Sequence, residues 1–231
     1  MIRSSRLSCI VLAAAVVSVF SPAASAVLVP FVEDFAAGSA NWRDSAGTAD
    51  LNWFAAGGID NGSYAATTYN FANAVAGDTP ALMRAHASYN SSNGALVGDW
   101  LDAGVSAFSF AVRHNAGVPL TFFARIATPM NFPAVAAVAF APVQSDVWTT
   151  ITFTIEPDNP AFVFEGPPTF STIFSNVGNI QIGVMVPDQL AGVDQTFSFD
   201  IDRVTLVPTP GVAGMLLLAS FGFTRTRRRR C

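Results

Sequence analysis

Trp148-Thr149-Thr150-Ile151-Thr152-Phe153-Thr154-Ile155 places Ile151, Phe153 and Ile155 on one side of an extended chain and Thr150, Thr152 and Thr154 on the other, because side chains in a strand alternate with period two. β-Branched and aromatic residues fill both sides, which suits a pleated surface with one face buried. Working outward, 107–113 repeats the pattern, with Phe108, Phe110 and Val112 against Ser109, Ala111 and Arg113. In 120–126, Leu120, Phe122, Ala124 and Ile126 oppose Thr121, Phe123 and Arg125. Asn115-Ala116-Gly117 between these two suggests a hairpin turn. Similar short runs, bounded by Gly, Pro, Asn and Asp, fall at 31–35, 52–55, 64–71, 81–88, 134–141, 180–186 and 197–207.

About ten strands with no 3.6-residue periodicity between them predict an all-β domain over 27–207, built as a two-sheet antiparallel jelly-roll sandwich. The span 157–177 carries four prolines and reads as a long loop over a sheet edge. The core must hold without covalent help, because Cys9 and Cys231, the two cysteines, lie outside this span. All twelve basic residues are arginine, which removes lysine-based covalent chemistry. Between 27 and 209 stand five arginines, at 43, 84, 113, 125 and 203, against all sixteen acids, a net charge of −11 that repels nucleic acid.

The ends read as addresses. Arg3 and Arg6, an apolar stretch over 7–20 and Ala24-Ser25-Ala26 make a secretory signal helix over 1–26. The tail, 208–231, holds Pro208-Thr209-Pro210-Gly211, an apolar run over 212–223, then Arg225 and Arg227, Arg228, Arg229 and Arg230. As a helix that run measures about 20 Å at ~1.5 Å per residue, against a hydrocarbon core of ~30 Å, and the arginines would stay on the cytoplasmic side. This order of proline motif, short membrane helix and arginine cluster resembles the PEP-CTERM sorting signal of Gram-negative bacteria, with Thr209 where that family has a glutamate. The resemblance implies an exosortase-like partner, transient anchoring in the inner membrane and delivery to the cell surface or extracellular matrix among exopolysaccharide.

Glu33-Asp34-Phe35 followed by Trp42, and Phe199-Asp200-Ile201-Asp202-Arg203-Val204-Thr205-Leu206, look like the first and last strands of galactose-binding-like jelly rolls. Concanavalin-like sandwiches share a strand similar to Trp-Thr-Thr-Ile-Thr-Phe. The galactose-binding-like resemblance implies a structural calcium held by acids of those strands, here Asp34 and Asp202. Phe197, Phe199 and Ile201 alternate with Ser198, Asp200 and Asp202, yet Val204 and Leu206 fall out of phase, so a bulge is expected near Asp202.

Catalytic motifs are absent from the sequence. There is no His-x-x-x-His pair, no Gly-x-Ser-x-Gly elbow and no phosphate loop, and most acids stand in turn contexts. His86 and His114 read as strand histidines on a polar face. Sugar rings stack on exposed aromatic side chains beside polar groups, which makes Trp42, Trp53, Tyr64, Tyr69 and Tyr89, amid Asn52, Asn61, Asn70 and Asn90, the candidate ligand site. The expectation is a non-catalytic, exported envelope protein that associates with extracellular polysaccharide. A secreted polysaccharide hydrolase and a structural surface protein without ligand stay open as alternatives.

Overall fold

A computed structural model describes residues 27–210 apart from 140, 167 and 168, so the signal segment and the tail from Gly211 onward, Arg227 to Arg230 included, lie outside the described residues. In chain order the strands are β1 (Phe31–Glu33), β2 (Asn52–Phe54), β3 (Tyr64–Asn70), β4 (Ala81–His86), β5 (Val105–His114), β6 (Thr121–Ala127) and β7 (Ala134–Val138). β8 (Thr149–Thr154), β9 (Phe162–Glu165), α1 (Phe170–Phe174), β10 (Asn179–Met185) and β11 (Thr196–Pro208) follow. They form two antiparallel sheets of a jelly-roll sandwich. One runs β2-β3-β11-β5-β8 with β1 also on β11, and the other runs β4-β10-β6-β7-β9.

The alternation read from the sequence is the alternation that packs. Ile151 and Phe153 of β8, Phe108 and Phe110 of β5, Phe122, Ala124 and Ile126 of β6, and Phe199 and Ile201 of β11 are all buried between the sheets. Trp42, Trp100, Phe71 and Phe174 complete this core. Each such side chain contributes roughly 1.5–3 kcal/mol by leaving water, which is how a span without cysteines holds a full sandwich together.

Two expectations are corrected. Asn115-Ala116-Gly117 does not close a hairpin: β5 pairs with β11 and β8 while β6 pairs with β10 and β7, so the link crosses between sheets. The span 157–177 is not one long loop, because β9 adds to the edge of the second sheet, Ala134 opposite Glu165 through Ala137 opposite Phe162. The short helix α1 holds it there. Thr169 caps α1 by accepting from Thr172 N–H, and Phe162 stacks at 5.6 Å on Phe174 and 6.4 Å on Phe170.

β11 is the seam of the first sheet. Residues 196–201 pair with β3 and residues 204–206 pair with β1, and the register against β5 shifts between Asp202 and Thr205. The expected bulge is therefore present, with Arg203 at φ 48°. It returns Val204 and Leu206 to the core and turns Asp202 toward a neighbouring loop.

Candidate functional site

The five aromatic residues singled out in the sequence do not gather. Trp42 is wholly buried and packs edge-on against Phe35 at 6.1 Å, which corrects its reading as a ligand platform. Trp53 sits on β2 opposite inward-facing Ala65, 42% exposed, and its indole N–H donates to Phe35 O at 2.7 Å. Tyr69 leans on the core through Phe71 at 5.1 Å. Tyr64 lies on the outer face of the first sheet and Tyr89 beside the edge strand of the second. Closeness along the chain did not become closeness in space, since β3 and β4 belong to different sheets.

Around Tyr64 the outer face of the first sheet is occupied by its own contacts. Phe54 stacks on Tyr64 at 4.8 Å, Trp148 meets it edge-on at 5.7 Å, and the Arg113 guanidinium lies 4.7 Å from the Trp148 ring and 5.2 Å from the Tyr64 ring. Arg113 Nε also donates to Asp200 Oδ2 at 2.7 Å. Burial raises the Asp200 carboxyl above its ordinary range, against the opposing pull of Arg113. A hollow of about 280 Å³ remains beside this cluster, but its rings and its cation are committed to one another.

The outer face of the second sheet is different. Residues opposite one another in paired strands project to the same side, and the register sets Arg84 opposite Gln181, Gln181 opposite Arg125, Arg125 opposite Ala136 and Ala136 opposite Val163. Arg43 extends the row, exchanging both backbone hydrogen bonds with Arg84 at 2.8 Å. Six strands' width at ~4.8 Å spacing is about 24 Å. From Arg84 to Val163 the row lines an open groove of about 440 Å³. Its floor is Phe123, whose ring lies where a side chain on Gly183 would stand, and its apolar walls include exposed Val163 and Met185.

The polar groups of the groove are held in fixed geometry. Arg125 forms a fork on Glu165, Nε to Oε1 and Nη2 to Oε2 at 2.7 Å each. Asn131 Oδ1 accepts from Arg125, Asn179 and Gln181 at 2.7, 2.7 and 3.1 Å. At the other end the Arg43 guanidinium covers the Tyr89 ring at 4.0 Å, and Gly47, at φ +72°, passes so close that a Cβ there would come within 2.7 Å of the Tyr89 hydroxyl. None of Phe123, Arg84, Arg125 or Gln181 was singled out from the sequence. The second-face alternation of 120–126 did mark Phe123 and Arg125 as a pair facing away from the core, and the pairing register then joins them to β4 and β10.

Asp202 and Asp34 serve the loops. Asp202 Oδ1 accepts from Arg203 N–H at 2.7 Å and Oδ2 from Ile59 N–H at 2.9 Å, while Asp34 Oδ1 accepts from Ala36 N–H at 3.1 Å. Gly58 is required beneath this clamp, since a Cβ would lie 2.5 Å from Asp202 Oδ2 and 2.7 Å from Ser63 O. Asp202 accepts one loop N–H on each carboxylate oxygen and so clamps the turn at Ile59 and Arg203. Among the described residues no group of three or more His, Cys, Asp or Glu side chains is gathered for a metal. His114 is not on a polar face but buried, its Nε2 3.1 Å from Val143 O and its Nδ1 accepting from Ala116 N–H at 3.3 Å. Burial holds its imidazole below the ordinary range.

No family model and no curated protein matches this chain. Solved structures do. Similar ones include the family 11 carbohydrate-binding module studied in solution as CtCBM11, at 15% identity and TM-score 0.48, covering 81% of this chain and 99% of that one. The same family's module of the cellulosomal cellulase Lic26A-Cel5E of Clostridium thermocellum aligns at 14% identity and TM-score 0.46, covering 80% of this chain and 97% of that one. The CBM22-1–GH10 modules of endo-1,4-β-D-xylanase 10B of the same organism, complexed with xylohexaose, align at 14% and TM-score 0.46 over 78% of this chain and 28% of theirs. All are distant likenesses, and the architecture of this chain is read from its own strand pairing.

Proposed function

We propose that this chain is a non-catalytic, exported polysaccharide-binding protein that takes an extended glycan across the outer face of its five-stranded sheet. The observation that carries the reading is the open groove of about 440 Å³, crossed by the row Arg84, Gln181, Arg125 over an apolar floor. A sugar chain asks for that combination: apolar surface for C–H faces and fixed polar groups for hydroxyls. Among the described residues Glu165 is the one carboxylate lining the groove, and Arg125 holds it. Glycoside hydrolysis by two carboxylates would need a second, uncommitted one. Filling the groove tests the site. The full-length chain should retard on polysaccharide-containing native gels, and Ala136→Trp, in mid-row, should abolish the retardation at unchanged Tm. Equal retardation of both proteins rules this groove out.

Delivery belongs to the same proposal. The signal segment and the PEP-CTERM-like tail place the domain at the surface through an exosortase-like partner, and the Pro208-Thr209-Pro210 motif follows directly from β11, with Thr209 N–H donating to Gly104 O at 2.7 Å. Neutralising Arg227 to Arg230 should leave export intact and abolish membrane retention in cell fractionation. Mass spectrometry of surface fractions should find chains ending near Pro208 to Gly211. Intact tails there would leave simple anchoring and remove exosortase processing.

A further inference from the structure

Resting on the groove as the glycan site, we infer that its ligand is an anionic polysaccharide bearing carboxylates, a polyuronate, with Arg84 as the residue that reads the charge. The distribution of cations points there. Only five arginines stand between 27 and 209, in a region of net charge −11, and three of them, Arg43, Arg84 and Arg125, lie in one row across this face. The three are not equivalent. Arg125 is neutralised by Glu165 through two bonds of 2.7 Å. Arg43 is stacked on Tyr89 with Asp50 Oδ1 3.8 Å from its Nε, and that buried Nε has no hydrogen-bond acceptor among the described residues.

Arg84, between them, forms no ion pair among the described residues. Its Nε donates to Ser45 O at 2.8 Å, which fixes the guanidinium plane, and Arg84 lines the groove. A planar, pre-set fork of that kind matches a carboxylate in two parallel hydrogen bonds, and a neutral hydroxyl uses only part of it. The surrounding surplus of acids argues for recognition and not for general stickiness. The region 27–209, at net charge −11, repels an anionic polymer except where positive groups are concentrated, so within that region an anionic ligand is drawn to such a row.

The test compares one polymer in two charge states. Polygalacturonate and the same preparation with its carboxyls reduced are titrated into the full-length chain by isothermal calorimetry, with dextran sulfate as a second anion. Polygalacturonate is expected to bind at least about tenfold more tightly than the reduced polymer, with affinity that falls as salt rises. Arg84→Gln removes about that factor for polygalacturonate and weakens the reduced polymer by clearly less, and Arg84→Lys recovers part of it by restoring charge without the fork. Equal affinity for both galacturonan forms, blocked by Ala136→Trp, keeps the groove and overturns the charge reading. Dextran sulfate binding as tightly as polygalacturonate overturns carboxylate recognition in favour of charge density. Polymer binding that survives Ala136→Trp, or no binding by any of the three polymers, overturns the groove and this inference with it.

Discussion

The two outer faces of the sandwich each carry arginine and aromatic side chains, and they spend them differently. On the six-stranded sheet Arg113 is stacked between Tyr64 and Trp148 and bonded to Asp200, so its charge and both rings are used inside the protein. On the five-stranded sheet the Arg84 side chain, among the described residues, has one bond to a backbone carbonyl and no carboxylate, beside an open groove. An aromatic cluster is therefore not a ligand site by composition. What matters is whether its faces and charges are left over after folding, and among the described residues Arg84 of the second sheet has no ion pair.

The contrast can be broken first on the structural side. Asp202→Ala removes the acceptor for Ile59 and Arg203 N–H groups and frees the loop beneath it, at a cost of about 3 kcal/mol in denaturant unfolding, with calcium and chelator giving the same midpoint. A calcium-dependent midpoint in the native chain would assign a cation to this position. Arg113→Ala should cost about 2 kcal/mol, because the buried Asp200 loses its partner, and should leave glycan affinity as it was. Arg84→Gln is the mirror case: stability within about 0.5 kcal/mol, affinity lost. If Arg113→Ala instead costs affinity at full stability, the two faces have been assigned the wrong way round.

The smallest effect expected is with pH. His114 is neutral in the fold, donating from Nε2 to Val143 O with Nδ1 facing Ala116 N–H, and a second proton on Nδ1 would oppose that donor. Its folded pKa is depressed by burial, so the unfolded chain binds the proton more readily. Stability is then full above about pH 6.5 and declines as pH falls below it. Asp200 and Asp202, raised by burial, act with the opposite sign at lower pH, near the carboxylate range. His114→Gln should flatten the Tm profile between pH 7 and pH 5. An unchanged slope would assign the decline to other groups.

Much of the sandwich was legible because its strands carry period-two alternation into a shared core, and even the bulge at Asp202 announced itself as a phase error between Ile201 and Val204. β9 was hidden for a local reason. Phe162-Val163-Phe164-Glu165 is a partly exposed edge strand among prolines, and its pairing with β7 and its stacking on α1 are what make it a strand. The groove was hidden for a global reason. Arg84, Gln181 and Arg125 are more than forty residues apart in sequence, and nothing but the register of β4, β10 and β6 aligns them. Trp42 and Tyr69 were drawn into the candidate site by residue type, whereas their positions on inward faces send them to the core.

The most direct test places the same bulky residue on each face in turn. Ala136→Trp stands in the groove of the five-stranded sheet and Thr68→Trp beside the hollow of the six-stranded one. With polygalacturonate titrated into both full-length variants, binding should vanish for Ala136→Trp and match the native chain for Thr68→Trp. Loss with Thr68→Trp and native affinity with Ala136→Trp would contradict the assignment outright.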